Sequence, residues 1–278
     1  MPKLYMLTEH SPFMMGFVFI TDQDHAVVVD GGRPADMSQL QRLVGDRTIK
    51  AWIFTHPHED HISGFVSEIQ KQTVYERVEK IYYNFPSEEF VVAQPTETLP
   101  HVISDFYRFY PNFSEKCVEV NPPFSVKLDE LCVDFLFCGG EKYLYPRPNL
   151  AVNESSLVFK VTSPEMRSVL FLGDLGPEGG RDLLRRQGDK LKSDIVQMAH
   201  HGHAGVEKNV YERIAPEACL WCCPEWLWNE EDVEHEPGLW GTMHQRKWMY
   251  ELGVNEHYVS MNGLQEIQLK KENYHGNC

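Results

Sequence analysis

The chain has no long apolar run. Nothing in its 278 residues approaches the roughly 18–20 consecutive apolar side chains of a membrane-spanning helix, so no membrane partner is expected. The opening residues, Met1-Pro2-Lys3-Leu4-Tyr5-Met6, also lack the charged start, apolar core and cleavage site of a secretory leader. Cytoplasmic residence is the expectation. Positive charge is scarce: 26 Lys and Arg stand against 41 Asp and Glu, a net charge of −15. A protein that grips nucleic acid through its phosphates needs a basic footprint, and no Lys/Arg cluster stands out here. Tight, nonspecific nucleic-acid binding is therefore not expected, whereas a small or extended anionic substrate held by local groups is compatible. Cysteine supplies no framework. Seven is an odd number and Cys222 and Cys223 are adjacent, so reduced thiols fit better than disulfides. There is no Gly-x-Ser-x-Gly, no Walker A loop, no internal repeat and no low-complexity segment. Gly31-Gly32 and Gly139-Gly140 are too sparse to be nucleotide fingerprints.

Histidine, by contrast, is concentrated. Thr55-His56-Pro57-His58-Glu59-Asp60-His61-Ile62-Ser63-Gly64 packs three histidines and two carboxylates into six positions, directly after the apolar run Ala51-Trp52-Ile53-Phe54. That run reads as a buried strand. A strand ending in His-x-His delivers two imidazoles as the backbone leaves the sheet, and Asp60 and His61 follow where a helix begins. Imidazole and carboxylate are the donors that zinc and similar divalent ions prefer. A solvated turn gains nothing from such a density of donors.

The rest of the chain supplies alternating elements. Strands are expected at Lys3–Thr8, Phe13–Thr21 and 25–29, the last running into Asp30-Gly31-Gly32. A helix at Asp36–Val44 precedes the strand and turn just described; a helix through Ile62, Phe65, Val66 and Ile69 follows, then a strand at Val78–Tyr83. Residues 84–116 are punctuated by Pro86, Pro95, Pro100 and Pro111 and read as a helical insertion on one face, a candidate lid, rather than a separate domain. Val102, Phe106, Phe109 and Tyr110 there form either a buried helical face or a substrate wall. Glu115–Asn121, Phe124–Leu128 and Leu131–Cys138 suit strands of a second sheet. After them come a turn at Asn153–Ser156 with its strand, a strand ending at Gly173-Asp174, a helix at Gly180–Gln187 and a strand ending at His200-His201. A helix at Val206–Ile214, the Ala218–Cys223 strand, an acidic aromatic loop from Glu225 to Gly241, a helix at Thr242–Leu252 and a hairpin of Glu256–Ser260 with Leu264–Leu269 complete the chain. This order suits two mixed sheets with helices outside them.

His56-x-His58-x-Asp60-His61 resembles the signature of the metallo-β-lactamase superfamily, and the resemblance covers nearly the whole chain. Asn153-Glu154-Ser155-Ser156-Leu157-Val158, Leu170-Phe171-Leu172-Gly173-Asp174 and Met198-Ala199-His200-His201-Gly202-His203 are most similar to the soluble domain of the competence protein ComEC and its free-standing relatives. The resemblance implies an α+β fold, the four-layer αββα sandwich, as a single domain over residues 1–278. It also implies two divalent metal ions, zinc foremost and manganese accepted. His56 and His58 would hold the first, Asp60 and His61 the second, and Asp174 both. His200 is expected as the last donor to the second metal and His201 as a residue facing substrate or leaving group, although the order of the two stays open. Most of the superfamily has a third histidine at the first metal; the matching position here is Asn153. An amide oxygen is a weaker donor than imidazole, so that site is expected to be loosely occupied. Asp30 would sit beneath the ligands, or simply end its strand.

The implied chemistry is hydrolysis, because paired cations lower the pKa of a bound water and absorb developing charge, with Asp60 and Asp174 orienting that water and taking its proton. The ComEC-like pattern favours a phosphodiester of nucleotide or single-stranded DNA type. An acyl or thioester hydrolase and a metal-holding regulatory module with little turnover are the alternatives. Arg33, Lys142 and Arg147 are candidate phosphate contacts or ordinary surface charges. Trp226, Trp228 and Trp240 can stack a base or form a small core beneath their loop.

Overall fold

The structure, a computed structural model, describes residues 1–10, 13–71, 74–94, 101–142, 150–230 and 241–271. Strands β1 (Lys3–Met6), β2 (Gly16–Ile20), β3 (Ala26–Asp30), β4 (Ile49–Ile53), β5 (Ile81–Tyr83) and β6 (Cys117–Glu119) lie side by side in that order. Strands β7 (Phe124–Leu128), β8 (Leu131–Cys138), β9 (Leu157–Thr162), β10 (Val169–Phe171), β11 (Ile195–Gln197), β12 (Ala218–Trp221) and β13 (Glu256–Val259) form a second sheet in the same sequential manner. The last strand, β14 (Gln265–Ile267), returns to the first sheet beside β1. Both sheets are mixed: β3 through β6 run parallel, as do β10 through β13, and the remaining pairs are antiparallel.

The strand period of two sorts the side chains into layers. Val27 and Val29 point into a core shared by both sheets, with Phe17, Phe19, Phe135, Phe159 and Phe171. There the Phe17 and Phe171 rings meet edge to face at 5.1 Å. Val28, between the two valines, faces the other way and packs with Trp52, Phe54, Leu40 and Phe65. Leu40 belongs to helix α1 (Met37–Val44) and Phe65 to α2 (Glu59–Lys71). Burial on both faces explains why β3 reads as an unbroken apolar run rather than an alternating one. The outer face of the second sheet is covered by α5 (Pro177–Gln187), α6 (Lys208–Ile214) and α8 (Met243–Glu251), with Leu183, Val210, Tyr211 and Met249 buried against Leu170 and Val196. The result is the expected sequence of layers, helices–sheet–sheet–helices.

Between β5 and β6, helices α3 (Glu88–Ala93) and α4 (His101–Phe109) occupy the stretch expected to be helical. α4 packs on α2. Phe106 is fully buried among Phe54, Phe85 and Phe113, and Val102, Phe109 and Tyr110 join the same cluster. This apolar face is core rather than substrate wall.

Three local expectations need correction. The strand expected at Glu115–Asn121 belongs to the first sheet, parallel to β5, and not to the second. The last two strands are not a hairpin: β13 pairs with β12 and β14 with β1, because the chain crosses between sheets after Val259. The aromatic loop begins with a short helix, α7 (Glu225–Asn229). Residues 231–240 of that loop, with Trp240, and residues 143–149, with Arg147, lie outside the described residues.

Candidate metal centre

The histidine and aspartate donors follow the C-terminal ends of β4, β10 and β11, strands in the parallel portions of the two sheets. β4 delivers Thr55 and His56. Pro57 disfavours a helical backbone at His56, the residue before it, and the His58 carbonyl then accepts the N–H groups of His61 and Ile62, opening α2. Asp60 and His61 therefore sit in the first helical turn. β10 delivers Gly173-Asp174 and β11 delivers His200-His201. Both of these histidines have left-handed backbones, φ 50° and 56°, an unfavourable conformation for a side chain with a Cβ. Such strain at two successive positions persists where the surrounding structure demands it.

The side chains converge. Asp174 Oδ2 lies 3.8 Å from His56 Nε2, 3.4 Å from His61 Nε2 and 3.3 Å from His201 Nε2. Asp60 Oδ2 lies 3.3 Å from His201 Nε2 and 4.0 Å from His61 Nε2. Nδ1 of His58 is 3.0 Å from Nε2 of His56. Two sets of donors result, His56, His61 and Asp174 in one and Asp60, His61 and His201 in the other, with the atoms of each set within 4.8 Å of one another.

The orientations are fixed from behind. Asp30 Oδ2 lies 2.7 Å from His61 Nδ1, and the same carboxylate accepts Thr55 N–H at 2.8 Å and Thr55 Oγ1–H at 2.7 Å. The Cys222 carbonyl accepts His201 Nδ1–H at 2.7 Å. With both Nδ1 atoms donating, both Nε2 atoms face Asp60 and Asp174 and are the atoms left to a cation, the arrangement that outer hydrogen bonds impose on metal-binding imidazoles.

The electrostatics of the cluster favour positive charge. Burial pushes the His56 imidazole well below its ordinary pKa and lowers His58 to about 4. Burial also opposes charge on His61 and His201, but Asp174 and its neighbouring carboxylates outweigh it. His61 is raised well above the ordinary value and His201 to about 10. Conversely, Asp60 and Asp174 are held low by His61 and His201 against the burial that would raise them. Among the described residues, His58 Nε2, His61 Nε2, His201 Nε2, Asp60 Oδ1, Asp174 Oδ1 and Asn153 Oδ1 are buried without a hydrogen-bond partner. Unsatisfied polar atoms are costly and rare in folded proteins. So many, all nitrogen and oxygen donors, suit divalent cations well.

The order of the histidine pair departs from the expectation. It is His201, not His200, that reaches Asp60 and Asp174. The strained backbone turns His200 towards Asn153 instead, with Nε2 3.3 Å from Asn153 Nδ2. Asn153 itself starts a short turn before β9 and is buried. Of the candidate substrate contacts, Arg33 pairs with Glu59 at 2.7 Å and Lys142 with Asp182. Trp228 meets Trp221 edge to face at 5.5 Å and lies under the Arg246 guanidinium at 4.0 Å. Trp226 meets Phe13 at 5.1 Å. Phe13, whose ring lies 5.3 Å from His201, went unnoticed in the sequence because nothing local marks it. Thr55 and the Cys222 carbonyl were missed for the same reason, although Thr55 directly precedes the first histidine.

Residues 17–217 match the metallo-beta-lactamase superfamily. No curated protein matches the chain by sequence. Among solved structures, the chain is similar to the metallo-β-lactamase fold protein YhfI from Bacillus subtilis, at 12% identity over 95% of this chain and 100% of that one, with a TM-score of 0.56. It is similar to CmlA, a diiron β-hydroxylase from Streptomyces venezuelae, at 13% identity over 96% of this chain but 54% of that one, TM-score 0.58. It is also similar to Tm1679, a metal-dependent hydrolase of the β-lactamase superfamily, at 10% identity over 98% and 100%, TM-score 0.56. Identities this low carry the fold alone, and one fold hosts several chemistries. The sequence match spans most of the chain and contains every residue of both donor sets: the chain belongs to the metallo-β-lactamase superfamily, and with its buried His/Asp clusters it is a metal-dependent hydrolase.

Proposed function

We propose that the protein hydrolyses a small phosphodiester of nucleotide type, using two divalent cations held by His56, His58, Asp60, His61, Asp174 and His201. The observation that carries this reading is the position of Asp174, whose single oxygen Oδ2 lies within 3.8 Å of imidazoles from both halves of the fold. A carboxylate so placed can serve both cations. The cations would supply a water of lowered pKa and a sink for charge developing on the scissile group. The chain's own residues do the rest. Asp60 Oδ1 and Asp174 Oδ1, buried and unpartnered, are the acceptors that can orient that water and take its proton. Asp30 and the Cys222 carbonyl keep His61 and His201 in the required tautomers.

A diester, rather than another ester, is supported by the ComEC-like pattern of Asn153–Val158 and Met198–His203. A small substrate is supported by charge. The net charge is −15, which disfavours a long polyanion, and among the described residues the candidate contacts Arg33 and Lys142 are both engaged in ion pairs. The same engagement favours the second reading, an acyl or thioester substrate that brings no phosphate. Metal-loaded protein assayed against bis-p-nitrophenyl phosphate and a thioester separates them. Diester turnover is expected; thioester turnover without diester turnover rejects the first reading. Stoichiometric metal with neither activity would leave a metal-holding regulatory module.

A further inference from the structure

The turn at Asn153–Ser155 and the turn after Asp174 are stitched together by side chains that neither donor set uses. Ser156 Oγ accepts the N–H of Asp174 at 3.0 Å. Glu154 is 2% exposed, and its two oxygens accept the N–H groups of Glu178 at 3.0 Å and Gly179 at 2.6 Å. Those groups belong to the first turn of α5, whose N-cap residue, Gly176, has no side chain to offer. Helix N-termini need acceptors, and a local Ser or Asp at the cap is the usual source. Here the acceptor arrives from a different connection, and the chain has made room for it. A Cβ at Gly176 would lie 2.5 Å from Glu154 Oε1, and one at Gly179 2.7 Å from Oε2.

A local cap would satisfy the same N–H groups. What the remote one adds is a tie between Asn153, one residue before Glu154, and Asp174, two residues before Gly176. A buried carboxylate at a helix N-terminus is a strong tie, since charge and dipole reinforce the hydrogen bonds. Gln197 and His200 hold the same loop from its other side, donating to the Gly173 carbonyl at 3.0 and 3.1 Å.

We propose that Glu154 is a positioning residue for the metal centre: by capping α5 from the Asn153 turn it fixes Asn153 and Asp174 relative to each other, and so sets how firmly the cations are held. This rests on the reading of Asp174 as the shared donor. Glu154→Gln is the informative variant. It keeps the size and one accepting oxygen but turns an NH2 group towards a backbone N–H, so one tie is lost without emptying the space. Leu183→Ala is the control. Leu183 lies on α5 and is buried in the helix–sheet core, so its loss destabilises the helix without touching the turn.

Metal-free protein is titrated with zinc against a chromophoric chelator, and the cobalt-substituted forms are compared by visible absorption. Glu154→Gln should weaken at least one zinc about tenfold or more, in the range typical of groups that orient metal ligands, and should shift the cobalt spectrum. Leu183→Ala, at an equal or larger fall in Tm, should leave both unchanged. If Glu154→Gln binds zinc as the parent does, or Leu183→Ala weakens it equally, Glu154 is only a helix cap and the proposal is overturned. A parent protein that takes up no metal overturns the reading of the centre itself, before any variant is compared.

Discussion

Asp30 Oδ2 and His61 Nδ1 lie 2.7 Å apart, and both side chains are fully buried. Burial pushes the Asp30 carboxyl up, against the pull of His61 and Thr55, so the pair stands by mutual support rather than by solvent. Its effect is to commit the Nδ1 proton of His61 and leave Nε2 free for the metal centre. Asp30→Asn should therefore loosen metal binding by roughly 10–100-fold, the usual cost of losing such a partner. The backbone at Asp30 is left-handed, φ 50°, which asparagine tolerates, so the melting curve should show a folded protein. Chelator competition makes the measurement. Unchanged affinity would mean that His61 is oriented by something else.

Proton release gives an independent check. In the metal-free protein His61 is raised well above the ordinary range and His201 to about 10, so both carry a proton at pH 7. A cation takes only a lone pair. Full loading should release roughly two protons, and affinity should rise with pH because fewer protons compete. Titration calorimetry in Hepes and in Tris reads this as a buffer-dependent enthalpy, and equal enthalpies would refute it. The same raised pKa values stabilise the metal-free fold while the imidazoles stay charged, so its Tm should decline as pH climbs from about 7 towards 10.

Much of this was legible because ligands sit where periodicity breaks. His56, His58, Asp60 and His61 follow an apolar strand directly, and Asp174 ends another, so strand recognition and donor chemistry select them together. The hidden part depends on long-range geometry. Whether His200 or His201 turns inward is decided by a left-handed backbone and by the Cys222 carbonyl, twenty-one positions away. Sheet membership of β6 and β14 was hidden likewise, since a short strand carries no mark of the partner it will find. Glu154 looks like any acidic turn residue until α5 is folded against it.

The histidine pair can be separated by experiment. Glycine accepts the left-handed backbone at either position, so His200→Gly and His201→Gly remove a side chain without new strain. His201→Gly should lose about one equivalent of metal, because it strips the set shared with Asp60. His200→Gly should keep the full complement. Elemental analysis after dialysis decides, and the reverse result would restore His200 as the donor.

Asp174→Ala and His61→Ala should abolish hydrolysis while leaving a cooperative melting transition, since both side chains point into the donor cluster rather than the apolar layers. Turnover retained in Asp174→Ala, with a normal melting curve, would remove Asp174 from the shared role.

Asn153→His tests the departure from the family's commonest donor set. Asn153 Oδ1 is buried without a partner, and its Nδ2 lies 3.3 Å from His200 Nε2. The amide thus stands where a donor is wanted and presents a weak one. Imidazole is the better zinc ligand, so the variant should hold its metals about tenfold more firmly, equivalent to about 1.4 kcal/mol. The rate need not follow, because a firmer metal can also hold its water too well. Metal release to a chelator, followed in parent and variant side by side, reads the affinity directly. If Asn153→His releases metal as fast as the parent, residue 153 does not face the first cation, and Asn153 instead serves His200 by fixing the orientation of its ring.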